Sequence, residues 1–235
     1  MKKQELAVKD QSAFLIEPER RAPDAATPWV WYAPLLPGLP DGAEDWMFER
    51  FLDAGIGVAA VDVGESCGNP AGRAVYSALH EELTARRGFA KKACLLARSR
   101  GGLMLYNWAA EHPDLVACIA GIYPVCDMRT YPGLKSASGA YGLTEEELAA
   151  QVARHNPVDR LEGLAKAHVP IFHIHGDLDG GVPFEANTVE VERRYRRFGG
   201  EMTVVVAKGQ GHNMWPGFFQ CPELVDFVIA HARDA

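Results

Sequence analysis

Cys94-Leu95-Leu96-Ala97-Arg98-Ser99-Arg100-Gly101-Gly102-Leu103 is an apolar run that meets a serine and passes at once into a helical pattern. The run Lys92–Ala97 predicts a strand, and Arg100–Glu111 predicts a helix. A serine on so tight a strand-to-helix turn has its hydroxyl exposed at the carboxyl end of the strand, and the residues two before and two after it must be small. The pattern is written G-x-S-x-G. Here it reads A-R-S-R-G, with Ala97 in place of the first glycine. An ordinary serine N-cap on a strand–helix turn is the plainer reading of the same stretch.

Outward from this turn, short apolar runs alternate with helical segments. Ala13–Ile16, Trp29–Ala33, Val58–Val63, Val116–Val125, Pro170–His175 and Glu201–Ala207 read as strands. Glu44–Ala54, Arg73–Arg86, Phe184–Phe198 and Glu223–Ala232 read as helices, the first closed by Gly55. Such alternation predicts an α/β fold with a mostly parallel sheet covered by helices on both faces. The rhythm breaks between Asp127 and Ala167, where Thr144 and Glu147 form a capping box and Asn156-Pro157 stops the helix they start. We read residues 1–235 as one domain, with approximately 128–167 inserted as a lid.

Two further loops carry chemistry. The segment His175-Gly176-Asp177-Leu178-Asp179-Gly180-Gly181-Val182-Pro183 leaves a strand with two carboxylates. A carboxylate there can orient a histidine and stabilise its imidazolium form. Asp179 is the candidate, Asp177 a support for the loop, and Asp127 a weaker alternative. The glycine-bordered His212 in Gly209-Gln210-Gly211-His212-Asn213-Met214-Trp215 follows the strand Glu201–Ala207. Among the other histidines, His80, His112, His155 and His231 fall on helical segments and are expected to face solvent. His168 lies at the wrong edge of the sheet, and His173 and His175 are expected to be packed or to support the loop.

The order Ser99, Asp179, His212 is that of α/β-hydrolases, and over roughly residues 28–232 the chain resembles that superfamily. It is most similar to small bacterial esterases and to the catalytic domains of prolyl-oligopeptidase-like enzymes. The resemblance implies an α/β-hydrolase fold with about eight strands, the first antiparallel ones supplied by the N-terminal 27 or so residues. It also implies a Ser99–His212–Asp179 triad acting on a carboxylic ester through an acyl-enzyme. The oxyanion hole would use the backbone N–H of Arg100 and one following Trp29–Ala33. There the chain has Ala33-Pro34-Leu35 where many members have His-Gly. Pro34 has no N–H, which leaves Leu35. Ser99-Arg100-x-Gly is similar to the S-R-x-G of glucuronoyl esterases, which implies a second role for the Arg100 side chain at the oxyanion; a surface arginine at a helix start is the plainer reading, and the likeness does not by itself assign a carbohydrate substrate. Polar residues after Val58–Val63, Glu65 among them, suit short-chain or carbohydrate-linked esters. Trp215, Glu65 and Tyr131 are the candidate substrate contacts. Peptidase, lactonase and acyltransferase chemistry fit the same fold, and a non-catalytic binding protein is the alternative of another class.

Composition bounds the remaining choices. Hydrophobic residues make up 48% of 235, ample for a core. A formal charge of -7 argues against binding a phosphate backbone, and the Arg193, Arg194, Arg196, Arg197 cluster reads as one solvated helix face. No run approaches the ~20 apolar residues of a membrane span, and the N-terminus lacks the apolar core of a secretion signal. The five cysteines are scattered, without a CxxC pair, as expected for free thiols in the cytoplasm. No metal or cofactor is expected, and no G-x-G-x-x-G follows the first parallel strand. The expected partner is a small-molecule ester.

Overall fold

The computed structural model describes residues 1–21 and 25–233. Eight strands form one sheet: β1 (Lys3–Val8), β2 (Gln11–Ile16), β3 (Trp29–Ala33), β4 (Gly57–Val61), β5 (Ala93–Arg98), β6 (Val116–Ile122), β7 (Ile171–Gly176) and β8 (Met202–Ala207). Their spatial order is β1-β2-β4-β3-β5-β6-β7-β8. β1 and β2 pair antiparallel, as do β2 and β4, and every pair from β4 to β8 is parallel.

The parallel strands β3 to β7 are buried on both faces, which is why they read as continuous apolar runs, while β8 at the sheet edge is only partly covered. Along β3, Trp29, Trp31 and Ala33 face one layer while Val30 and Tyr32 face the other. The first layer packs on α2 (Pro70–Arg86), α3 (Gly101–Ala109) and α7 (Glu190–Arg197), through Tyr76, Leu83, Met104, Trp108 and Tyr195. The second packs on α1 (Asp45–Asp53) and α8 (Pro222–Arg233), through Phe48, Phe51, Leu224 and Val228. Each such leucine, valine, methionine or phenylalanine, fully buried, contributes about 1.5–3 kcal/mol.

Several expectations need correction. α2 starts at Pro70, three residues before the expected Arg73, because Asn69 caps it by accepting the Gly72 N–H at 2.7 Å and proline suits the first helical position. The expected helix Phe184–Phe198 opens as a wide π turn over Glu185–Val189. There the Asn187 side chain accepts the N–H groups of Cys126 and Asp127, at 2.8 and 2.9 Å. His80 does not face solvent: its Nε2 bonds the Lys91 carbonyl at 2.7 Å. His112, His155 and His231 are half-buried against Trp108, Tyr141 and Phe227.

Between β6 and β7 lie three short helices, α4 (Leu134–Tyr141), α5 (Glu145–Gln151) and α6 (Glu162–Lys166). Both bonds of the Thr144–Glu147 capping box are present, but α5 ends at Gln151, ahead of Asn156-Pro157, in a 3-10 turn. Ala137, Leu148 and Met128 pack with Leu103 of α3 and Cys67, and the Tyr141 hydroxyl donates to the Cys67 carbonyl at 3.0 Å. Among the described residues no helix is long and apolar enough to cross a membrane.

Candidate active site

The turn between β5 and α3 is as tight as its sequence requires. Ser99 has φ +49°, in the left-handed region. Its N–H donates to the Ile122 carbonyl at 3.0 Å, and its own carbonyl accepts the N–H groups of Gly102 and Val125 at 2.9 and 2.8 Å. A Cβ on Gly101 would sit 2.1 Å from the Ala33 oxygen, and one on Gly102 would sit 2.3 Å from the Val125 oxygen. The departure at Ala97 is absorbed because its neighbours in register are Ala33 and Gly121, so a methyl fits between them.

Loops after β7 and β8 bring the other two residues to this edge. Ser99 Oγ lies 2.9 Å from His212 Nε2, and His212 Nδ1 lies 2.7 Å from Asp179 Oδ2. The other oxygen of Asp179 accepts the N–H groups of Gly181 and Val182, at 2.9 and 2.7 Å. Burial alone would raise the Asp179 carboxyl. Hydrogen bonds from His175, His212 and the Val182 N–H prevail and hold it well below the usual carboxylate range. Asp177 instead accepts the Gly209 N–H at 2.7 Å, which ties the two loops together. Asp127 lies away from these three, engaged with Arg129 and Asn156 at 3.2 and 3.0 Å.

A cavity of about 180 Å³ opens over Ser99, lined by Pro34, Leu39, Arg98, Arg100, Tyr123, His212, Asn213 and Met214. The expected substrate residues are placed differently. The Trp215 ring packs edge-on against Phe218, centroids 5.4 Å apart, and lies over Gly217, the absence of a side chain there making room for it. Glu65 is ion-paired with the Arg100 guanidinium, so each engages the other rather than standing free. Tyr131 packs with the α4–α5 cluster, its ring 6.0 Å from that guanidinium. The side chain of Leu35 packs towards the α1 layer, and Pro34 and Leu39 form the wall in its place.

Sequence reasoning passed over Arg98, which lines the cavity, and its partner Glu44. Arg98, 8% exposed, donates to Glu44 at 2.7 Å, to Asp41 at 3.3 Å and to the Met214 sulfur at 3.0 Å. Glu44, fully buried, also accepts the Tyr32 hydroxyl at 2.7 Å. Burial works against the Arg98 charge, but Glu44 foremost holds it ionised. Tyr123, with φ +36°, lays its ring 4.3 Å from that of His212. The available signal was a charged residue ending the buried run Ala93–Arg98, which demands a buried partner. Among the described residues no three His, Cys, Asp or Glu side chains gather as metal ligands would.

Comparison with solved structures agrees on the fold. Dipeptidyl peptidase 4 of Porphyromonas gingivalis superposes with a TM-score of 0.76 at 14% identity over 97% of this chain. An S-formylglutathione hydrolase from Agrobacterium tumefaciens gives 0.74 at 13% identity, covering 98% of this chain and 93% of its own. Est1E from Butyrivibrio proteoclasticus gives 0.70 at 16%, covering 97% and 98%. The chain spans 35% of the length of the peptidase and nearly all of the two smaller proteins. This is the α/β-hydrolase fold. A search of curated proteins gives no match. The model of the prolyl oligopeptidase family matches residues 76–228, well over half of the sequence, and the chain therefore belongs to the prolyl oligopeptidase family.

Proposed function

We propose that the protein is a serine hydrolase that cleaves short-chain carboxylic esters, with Ser99 as nucleophile, His212 as general base and Asp179 as the supporting carboxylate. The observation that carries this reading is the bridging imidazole, 2.9 Å from the hydroxyl on one side and 2.7 Å from the carboxylate on the other. His212 Nε2 takes the hydroxyl proton as Ser99 Oγ bonds to the ester carbon, and the carbonyl electron pair moves onto its oxygen. Collapse breaks the bond to the alcohol oxygen, which leaves with the proton from His212. Water, deprotonated by the same nitrogen, then attacks the acyl-enzyme and frees Ser99. The developing oxyanion is received by the N–H of Arg100 and that of Leu35; losing one such donor typically costs about 10²–10³ in rate. The cavity of about 180 Å³ suits a short acyl group.

A peptidase reading is favoured by the family match over residues 76–228. Rates on p-nitrophenyl acetate and butyrate, set beside aminoacyl p-nitroanilides, separate the two. Ester turnover that vanishes in Ser99→Ala, with labelling by a fluorophosphonate probe, is the expected result. Ester turnover that survives Ser99→Ala refutes the nucleophile, and preferential anilide cleavage moves the enzyme to the second reading.

A further inference from the structure

The oxygen of Asp179 that meets His212 has a second imidazole on it. His175 Nε2 lies 3.2 Å from Asp179 Oδ2 and 3.0 Å from the Val182 carbonyl. A carbonyl only accepts, so this nitrogen carries a proton. On its far side His175 Nδ1 is 2.8 Å from the Thr188 hydroxyl, which is also 3.0 Å from Nδ1 of His173. His173 Nε2 in turn lies 2.7 Å from the Tyr106 hydroxyl. His173, His175 and Thr188 are fully buried, and Tyr106 nearly so.

One hydroxyl between two rings has a single proton to give, so the chain of bonds has one direction. If Thr188 donated to His173, then His175 would need protons on both nitrogens. His173 would also donate to Tyr106, whose own proton then meets no acceptor among the described residues. Reversed, every proton has a partner: Tyr106 O–H to His173 Nε2, His173 Nδ1–H to Thr188, Thr188 O–H to His175 Nδ1, and His175 Nε2–H to Asp179 and Val182. Both rings are then neutral. Burial, with the neighbouring His175 adding to it, pushes His173 down to about 3, in keeping with this. The packing has made room for the row: a Cβ on Gly121, in register with His173, would lie 2.6 Å from its ring.

We propose that His175 is a positioning residue for the reaction, its Nε2–H fixed as a donor by the Tyr106–His173–Thr188 chain and clamping Asp179 where His212 needs it. The clamp rests on the reading of Asp179 as the supporting carboxylate. The bond direction does not, so the two are tested separately.

Two-bond ¹H–¹⁵N correlation of the imidazoles, assigned by signals lost in His173→Phe and His175→Phe, reads the direction in the unmodified protein. Expected are an Nδ1–H tautomer for His173 and an Nε2–H tautomer for His175. The opposite tautomer in either ring overturns the chain. The clamp is read kinetically. A hydrogen bond to a charged group is worth roughly a tenfold rate or more if it acts only through geometry. Folded His175→Phe should lose about that factor in kcat with KM nearly unchanged. Thr188→Val, close to isosteric, should lose part of it, and Thr188→Ser should restore it. Native kcat in folded His175→Phe and Thr188→Val overturns the clamp. Loss of all turnover in every variant and in the native protein would instead strike the hydrolase reading and leave the tautomers to decide the chain.

Discussion

Replacing Gly101 by alanine tests how the proposed oxyanion hole is built. The added Cβ would lie 2.1 Å from the Ala33 oxygen, 2.5 Å from its carbonyl carbon and 2.9 Å from Pro34 N. All three are backbone atoms, so no rotamer change relieves the contact. Restoring ordinary van der Waals distance needs more than an ångström of movement, either of the β3 exit or of the start of α3. The first carries the N–H of Leu35 and the second that of Arg100, so either movement separates the two proposed donors. A displacement of about 1 Å costs on the order of 10²-fold in rate. Overpacking of this kind destabilises by about 1–3 kcal/mol, which lowers the melting temperature by roughly 2–12 °C in a chain of this size. Initial rates on p-nitrophenyl acetate and a thermal melt measure both. The expected pattern is a large fall in kcat with little change in KM, since the donors act on the transition state. Gly139→Ala is the control: it lies inside α4 with nothing within 4 Å of the new methyl, and should leave activity intact and stability equal or higher by about 0.5–1 kcal/mol. Native kcat and melting temperature in Gly101→Ala would refute the argument.

Asp179→Asn should keep the fold and lose about 10⁴ in kcat on p-nitrophenyl acetate, because the amide favours the wrong tautomer of His212; a fall of only a few-fold would remove Asp179 from its proposed role. Arg98→Met should destabilise by about 3–5 kcal/mol in denaturant titration, because Glu44 is then a buried charge without its cation, and Arg98→Met with Glu44→Leu should recover part of the loss; equal stability of the single and double variants contradicts this. Two carboxyls set an acid limit: Glu190 of α7, paired with Arg193 at 2.7 Å and with Arg194, and Asp159, paired with Arg194 and Arg129 at 2.5 and 2.6 Å. Hydrogen bonds from Arg193 foremost pull Glu190 down to about 2; Asp159 is also lowered, burial opposing and Asn156, Arg129 and Arg194 prevailing. A depressed carboxyl binds fewer protons folded than unfolded, so its stabilisation is whole above the ordinary value of about 4 and drains as pH falls below it. The melting temperature should fall between about pH 5 and 2, and less steeply in Glu190→Gln and Asp159→Asn; parallel curves would exclude the network as a cause.

Legibility in the sequence followed burial on two faces. β3, β5 and β7 are buried throughout and read as strands within a residue or so of their ends. β1 alternates between exposed and half-buried positions, and only its antiparallel register with β2 gives it order, so its own residues carry little signal. The helices were displaced where side-chain caps outweighed apolar spacing. Asn69 and Pro70 start α2 early, and Asn187, reaching across to the β6 loop, holds a π turn where periodicity asks for a helix.

The candidate site divides along the same physical line. Ser99, Asp179 and His212 stand in glycine-bearing loops, and where close approach demands the glycine that demand is written locally: a Cβ at Gly176 would lie 2.2 Å from the Gln210 carbonyl, just as one at Gly101 would strike β3. What surrounds the three residues depends on pairings across the chain that no local pattern encodes. Arg98 meets Glu44 across 54 residues, and Glu65 meets Arg100 across 35. A pair of histidines spaced by two on a buried strand was legible as packing, because alternate residues share a face. That their rings converge on one hydroxyl, and through it reach the carboxylate beside His212, required Thr188 to arrive from the turn after Pro183. A side chain's chemistry can thus be read from its own loop, while the partner that fixes its proton is supplied by tertiary packing.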